Sequence, residues 1–177
     1  MLEKKGNQRQ GLHFVTLNVA GWIDVFTNYE YCDIVINSLN FCIQNKNLVV
    51  YEYVIMSNRI LMIVESKKGH LSKVLRDFRG HAARQIFKAI SENPEEKRKE
   101  WMMRQFQFFS NRYQNDEEHH FWQFGNNPVA LNNSELLQQK AAQVINTPVA
   151  EKKVAKPQYY IYSSACAKQQ VRLASWE

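Results

Sequence analysis

The alternation and spacing of apolar residues predict a strand, a helix and a pair of strands in the first part of the chain. His13 to Val19 alternates between apolar and polar side chains, as a half-buried strand does. Tyr29 to Asn45 carries its apolar residues at mixed helical spacing. Leu48 to Met56 and Arg59 to Glu65 are rich in β-branched and aromatic residues, and Ser57 with Asn58 supplies the turn that makes these two strands neighbours.

The rest of the chain predicts three helices. Ser72 is a candidate N-cap for the first of them, whose apolar residues recur on one face. Pro94 suits the start of the next helix, because proline fits a first turn and disfavours helix in the residue before it. The predicted bounds are Ser72 to Ser91, Glu95 to Tyr113, and Ser134 to Thr147, with an exposed connection from Glu151 to Pro157. This order of strands and helices predicts an α+β fold.

Composition says more about the setting than about the fold. The chain has 177 residues and is 45% hydrophobic, enough for the core of one domain over 1–177, with flexible ends at 1–11 and 166–177. Cys32, Cys42 and Cys166 are too few and too scattered for a disulfide framework or a zinc cluster, so we expect a reducing compartment. No N-terminal apolar run and no stretch long enough to span a bilayer occur, which predicts a cytoplasmic protein.

The charge of the chain favours a polyanion as partner. The formal net charge is +6 and the pI is near 9.2, although proteins that touch no nucleic acid also carry such an excess. Opposite the apolar face of the helix that starts at Ser72 lies a stripe of cations: Lys73, Arg76, Arg84 and Lys88. Lys67 and Lys68 add charge in the loop before it, where a strand end and a helix N-terminus can seat phosphate. A solvated helix face is the alternative explanation.

Two further clusters are candidates for a ligand. Trp122, with Phe121, Phe124 and Asn126 beside it, has the groups that bind an unpaired base, and packing in the core is the alternative. The run from Asp116 to His120 contains metal-ligand side chains, but adjacent residues point apart, which favours a solvated loop. No serine, cysteine or aspartate constellation indicates a hydrolase, and there is no glycine-rich phosphate loop.

Several short motifs, in order along the chain, resemble one family. The matching segments are His13 to Phe26, Tyr53 to Val64, Leu71 to Arg79, Ile86 to Trp101, Phe121 to Val129, Gln139 to Val149 and Tyr160 to Ala165. Together they resemble the single-tyrosine HUH transposases, in particular the REP-associated tyrosine transposases. The resemblance implies a ferredoxin-like antiparallel sheet flanked by helices, and a partner that is single-stranded or hairpin DNA. Taken alone, the segment 53–64 is also consistent with an ordinary buried hairpin.

The positions that carry the chemistry of that family are substituted here. In the family, two histidines at alternate positions of a strand share one face and bind one Mg²⁺ or Mn²⁺. The matching residues are Arg59 and Leu61, and neither offers a lone pair to a metal. The family's nucleophilic tyrosine matches Gln143, whose carboxamide cannot attack a DNA phosphate. The resemblance therefore implies a degenerate site with no metal and no cofactor.

Two functions compete on this basis. The first is a non-catalytic protein, monomer or homodimer, that holds single-stranded or hairpin DNA, with Arg59 on phosphate where histidine and metal once were. The second is an active transposase or nuclease that nicks and joins single-stranded DNA with rearranged residues, such as one of the tyrosines Tyr113, Tyr159, Tyr160 and Tyr162. An interaction protein without a nucleic-acid partner is a third possibility. The first is favoured, because all three essential positions are substituted together.

Overall fold

A computed structural model describes residues 11–112, 120–125 and 127–176. The strands and helices follow in the order β1 (His13–Asn18), α1 (Tyr29–Asn45), β2 (Leu48–Met56), β3 (Arg59–Ser66), α2 (Leu71–Glu92), α3 (Lys99–Arg112), β4 (Val129–Ala130) and α4 (Ser134–Ala150). Short 3-10 turns lie at Ala20–Trp22, Val25–Thr27 and Pro157–Tyr159. The predicted bounds of α1 and β2 match the structure, and those of β1 and β3 differ by one residue.

The strands form one antiparallel sheet in the order β2-β3-β1-β4. β2 and β3 are joined by the turn at Ser57 and Asn58, while α1 carries the chain from β1 across to β2 and leaves β3 between them. This is the split βαβ arrangement of ferredoxin-like folds. The α+β, ferredoxin-like architecture predicted from the sequence is therefore confirmed.

Each face of the sheet buries a separate apolar cluster, because successive side chains of a strand point to opposite faces. Val15, Leu17, Ile60 and Met62 pack with the buried faces of α1, α2 and α3. Phe14, Leu61 and Ile63 point to the other face and pack with Val144 of α4. The alternation along β3 thus assigns Leu61 to the face that α4 covers.

The C-terminal segment covers the outer edge of β2. Ile55 and Ser164 donate backbone N–H groups across this edge to Tyr162 and Tyr53, and Ala174 donates to the Val50 carbonyl at 2.9 Å. Further along, Val171 is 2% exposed and the Trp176 ring stacks on Tyr51. The sequence predicted a flexible end over 166–177, and within this range Val171, Ala174 and Trp176 contact the domain. Covering an open strand edge also protects it from pairing with another chain.

Three helix ends differ from the sequence prediction. The N-cap of α2 is His70 and no side chain caps it, so Ser72 lies inside the first turn instead of capping it. α3 begins at Lys99, because Arg98 binds Glu96 and the Asp24 carbonyl and holds the preceding residues in turns. α4 continues through Pro148 to Ala150, three residues beyond its predicted end. Pro148 has no N–H, but it lies so near the end of the helix that only one hydrogen bond is lost. After it, the Glu151 N–H still donates to the Thr147 carbonyl at 3.0 Å.

Candidate nucleic-acid interface

Arg59 and Leu61 lie on the face of β3 that α4 covers, as the strand alternation predicted. Leu61 is 3% exposed and belongs to the apolar cluster that contains Val54, Ile63 and Val144. Arg59 lies at the start of the strand, where its guanidinium forms an ion pair with Glu151 at the C-cap of α4 and donates to the Asn58 side chain at 3.2 Å. This face is filled by apolar packing and one ion pair.

The residues on this face do not fit a divalent metal. A guanidinium has no acceptor lone pair and a leucine has no ligand atom. The Thr147 hydroxyl, one turn after Gln143, donates to the Gln143 carbonyl at 2.6 Å. Among the described residues, no group of three or more His, Cys, Asp or Glu side chains is arranged to hold a metal ion. Arg59 and Leu61 therefore provide no ligand for the Mg²⁺ or Mn²⁺ ion that the family of the sequence resemblance uses.

Gln143 lies on an exposed flank of α4, one position before the buried Val144. Its side-chain oxygen accepts a hydrogen bond from Lys140 Nζ at 3.1 Å. Lys140 Nζ lies 4.6 Å from the centre of the Phe14 ring, so this flank faces β1. The side chain at the position of the family's nucleophile is thus a neutral amide beside a lysine.

Of the tyrosines considered as substitute nucleophiles, Tyr160 and Tyr162 are in structural roles. Tyr160 donates to the Ile55 carbonyl at 2.8 Å, and burial raises its pKa to about 12. Tyr162 donates to Asp33 at 3.1 Å, and burial raises its pKa further. A higher phenol pKa leaves less phenolate to attack a phosphate. Tyr159 is 60% exposed on the connection after α4, and Tyr113 lies outside the described residues.

A groove of about 720 Å³ runs between α2 and the segment 120–125. Its α2 wall carries Arg76, Arg79, Arg84 and Lys88, and its other wall carries Phe121, Trp122, Gln123 and Phe124. The segment is held in place by β1, because Gln123 donates its N–H to the Asn18 carbonyl and Ala20 donates to Phe121, both at 2.8 Å. The structure thus brings three predicted cations of the stripe, Arg76, Arg84 and Lys88, together with the predicted aromatic segment. We call this space the α2 groove.

The aromatic group that the α2 groove exposes is Phe124 and not Trp122. Trp122 is 7% exposed, packs on Phe121 and Phe26, and donates its indole N–H to the Arg79 carbonyl at 3.0 Å. Trp122 therefore packs in the core, which was the alternative interpretation of this residue, and its buried ring cannot stack on a base. Phe124 is 56% exposed, with its ring centre 4.3 Å from that of His120.

A second groove, of about 780 Å³, opens at the N-terminus of α2. It shares Arg76 and Arg79 with the α2 groove and adds Lys73, so the two form one basic path along the helix. Lys67 and Lys68 are exposed but line a third groove, next to the C-terminal segment. The predicted cations therefore divide into a set on α2 and a pair in the loop, and the second and third grooves meet at Gly11, Ser66 and Gly69.

Some predicted positions fall outside the described residues, and some lining residues were not predicted. Asn126 and 113–119 lie outside, which includes four residues of the Asp116 to His120 run. Arg79 was not in the predicted stripe, although it follows Arg76 by three residues and so lies near it on a helix. His13 and Ser66 line the second groove, and only the pairing of β1 with β3 could have placed them together.

Comparison with known proteins supports the fold. No protein-family profile matches the chain, and no curated protein matches its sequence significantly. A solved structure of a REP-associated tyrosine transposase bound to a REP hairpin is similar in fold, with a TM-score of 0.55 and 13% sequence identity. The similarity covers 87% of this chain and 76% of that one. Within the described ranges, none of the helices combines the length and apolar character that a bilayer crossing needs.

Proposed function

We propose that this protein binds single-stranded or hairpin DNA in the α2 groove and does not cut it. The observation that carries this proposal is the groove itself, in which one wall is cationic and the other presents an exposed aromatic ring. Proteins that hold single strands combine these two features, a basic track for the backbone and an aromatic platform for bases.

The charges of the two connected grooves favour a phosphate backbone. Among the described residues, the lining of these grooves includes five cations, Lys73, Arg76, Arg79, Arg84 and Lys88, and no Asp or Glu. These cations lie on a path along α2 that spans much of its 22 residues. A chain of phosphates can neutralise such a path and release counterions, so binding should weaken steeply with salt. Neutralising about five phosphates of a single strand predicts a slope of log K against log salt of roughly −3 to −4.

The shape of the α2 groove favours an unpaired strand or a hairpin with unpaired flanks. Phe124 presents its ring at the groove, where only a base outside a duplex can stack on it. The REP-associated transposase of similar fold was solved with a DNA hairpin, which supports DNA as the partner here.

The absence of cleavage is inferred from the α4 face. Metal-dependent strand cleavage needs ligands for the cation and a nucleophile beside it. Arg59 and Leu61 supply no ligand atom, and Gln143 supplies no nucleophile. The hydroxyls of Tyr160 and Tyr162 are committed to hydrogen bonds. These observations favour a holding function over an active transposase or nuclease.

A paired binding and cleavage assay tests the proposal. The full chain is titrated into fluorescent hairpin DNA with single-stranded flanks, at several salt concentrations, with Mg²⁺, with Mn²⁺ and with chelator. Denaturing gels of the same samples report cut strands and covalent protein–DNA adducts. We expect salt-sensitive binding that does not depend on metal, with neither cut strands nor adducts.

The other outcomes are distinct. Metal-dependent cutting or an adduct would overturn the non-catalytic function and favour the active enzyme, and mapping the adduct would identify its nucleophile. Binding that is absent at low salt for hairpin, single-stranded and duplex DNA alike would overturn the DNA-binding function as a whole. Preference for plain duplex would overturn the proposed role of Phe124 as a platform for unpaired bases.

A further inference from the structure

The groove at the N-terminus of α2 is lined by residues whose backbone N–H groups have no acceptor within the helix. The first backbone hydrogen bond of the helix runs from the Val74 N–H to the His70 carbonyl. The N–H groups of Leu71, Ser72 and Lys73 therefore have no acceptor within the helix, since the first turn of any helix lacks one. No side chain caps this end and no acidic residue occurs in the first turn.

Two buried polar atoms of the sheet line the same groove. Ser66 is the last residue of β3, and 6% of its surface is exposed. His13 is the first residue of β1 and pairs with Val64, which lies two residues before Ser66. Ser66 Oγ and His13 Nδ1 are both buried and have no hydrogen-bond partner within the described part of the chain. A buried polar atom left without a partner costs free energy, and a ligand in the groove that supplied a partner would recover it.

The surrounding charges define that ligand as an anion. Lys73, Arg76 and Arg79 line the groove, and none of its lining residues in the described part of the chain is acidic. The dipole of the 22-residue α2 adds partial positive charge at the same end. Gly69, with a φ of 79°, lets the chain turn from the end of β3 into the helix. Amide N–H groups, a hydroxyl and cations that line one groove form a usual environment of a bound phosphate.

We propose that this groove, the α2 N-terminal pocket, seats one phosphate group of the bound nucleic acid. This inference rests on the proposed function, because the pocket continues into the α2 groove through Arg76 and Arg79. Its volume of about 780 Å³ lies in the range of nucleotide-sized ligand sites, so it takes the phosphate together with its sugar. The phosphate accepts from Ser66 Oγ and the helix N–H groups, and Lys73 balances its charge.

The first test uses inorganic phosphate as the probe and the full chain as the sample. Backbone amide NMR signals of 69–73 should shift saturably with phosphate at low salt. Ser66→Ala should weaken this binding about tenfold, because a hydrogen bond to a charged group is lost. Ser38→Ala is the matched control, since Ser38 is another buried serine, 3% exposed, whose hydroxyl donates to the Ile34 carbonyl inside α1. It should leave phosphate binding unchanged.

Stability separates loss of the ligand contact from loss of the fold. Because Ser66 Oγ has no partner in the described structure, Ser66→Ala should unfold at the same or a higher urea concentration than the natural protein. A variant that is as stable as the natural protein and binds phosphate less tightly supports the pocket. Unchanged phosphate binding by Ser66→Ala, or the absence of saturable shifts at 69–73, would overturn it.

DNA binding then links the pocket to the bound strand. Ser66→Ala should weaken DNA binding about three- to tenfold at fixed salt, and Lys73→Gln should lower the salt slope by about 0.7. Oligonucleotides with and without a 5′-phosphate show whether the seated group is terminal or internal. If DNA binds and Ser66→Ala has no effect, the pocket is refuted while the proposed function stands. If no DNA binds, the proposed function fails, and the phosphate titration alone decides whether the pocket is a phosphate site.

Discussion

Arg59 and Glu151 form an ion pair that joins the start of β3 to the C-cap of α4, across 92 positions of the chain. The Arg59 side chain is 23% exposed and that of Glu151 is 33% exposed, so the pair is partly shielded from water. The resemblance of the sequence places a metal-binding histidine at the Arg59 position. In this chain the residue at that position instead holds α4 on the sheet, together with the apolar contact of Leu61 and Val144.

We expect Arg59→Ala to lower stability more than DNA affinity. Loss of the ion pair should reduce the free energy of unfolding by about 1 kcal/mol. DNA affinity should change less than about twofold and the salt slope should stay the same, because Glu151 already neutralises the guanidinium. Urea unfolding and fluorescence anisotropy at several salt concentrations measure both. A weaker affinity with a shallower salt slope would instead show that Arg59 contacts phosphate, the role that the sequence suggested.

Neutralising the α2 groove should weaken binding to every DNA sequence alike. Arg84→Gln with Lys88→Gln removes two cations of the groove, so the salt slope should fall by about 1.4 in magnitude for a single strand. Both side chains are exposed, so the stability should change by less than about 0.5 kcal/mol. Lys153→Gln is the control, because Lys153 is exposed after α4 and lines none of the three grooves. Equal slopes for the double variant and the control would remove the groove as the binding track.

The sequence predicted three of the four strands and all four helices, because their signals are local. The two-residue β4 was not predicted. The period of two along a strand correctly put Arg59 and Leu61 on one side of β3. The helix ends were less accurate, because their caps depend on contacts far along the chain. Arg98, for example, reaches the Asp24 carbonyl and so delays the start of α3.

The candidate site was only partly predictable for a related reason. The stripe of Arg76, Arg84 and Lys88 follows from helical periodicity, so the sequence could find it. The pairing of 120–125 with the end of β1 decides which aromatic side chain lies beside that stripe. No local pattern in the sequence shows that Trp122 is buried while Phe124 is exposed. The side chains of the α2 N-terminal pocket come from opposite ends of two paired strands, which only the register brings together.

Truncation of Phe124 should weaken DNA binding, whereas truncation of Trp122 should lower the stability of the fold. Phe124→Ala should weaken single-stranded DNA binding by about 1–3 kcal/mol, the usual value of one stacked base, with little loss of stability. Trp122→Ala should lower the free energy of unfolding by about 3–5 kcal/mol, because the indole is buried. Phe108→Ala is the control, since Phe108 is 53% exposed on α3 and lines none of the grooves. Affinity that Phe124→Ala does not change would place base stacking elsewhere.

Restoring a histidine on β3 should be costly. Leu61→His places an imidazole among apolar side chains under α4, and we expect it to lower the free energy of unfolding by about 3 kcal/mol. Leu61→Met, which conserves volume, should cost less than about 1.5 kcal/mol. Urea unfolding compares the two variants, and Mn²⁺ titration followed by electron paramagnetic resonance asks whether Arg59→His with Leu61→His binds metal. A stable double variant that binds Mn²⁺ would show that α4 moves aside and that a metal ion can reach the face of β3 that α4 covers.

Tyr160 links the connection after α4 to the stability of the sheet at high pH. Its hydroxyl donates to the Ile55 carbonyl of β2, and burial raises its pKa to about 12. Because the pKa in the folded protein lies above the value near 10 of an unfolded chain, the fold favours the protonated phenol. This contribution is fully present below about pH 10 and is lost as pH rises through about 12.

Tyr160→Phe removes the hydrogen bond and should cost about 1 kcal/mol of unfolding free energy at neutral pH. Its deficit relative to the natural protein should shrink above about pH 10, because the Tyr160 phenol then ionises in the unfolded chain while it stays protonated in the folded one up to about pH 12. Urea unfolding at a series of pH values measures the deficit, and tyrosinate absorbance follows the ionisation. Tyr159→Phe is the control, because Tyr159 is 60% exposed, and it should change neither the stability at neutral pH nor its dependence on pH. If the stability deficit of Tyr160→Phe were the same at all pH values, Tyr160 would be accessible to water and free to ionise.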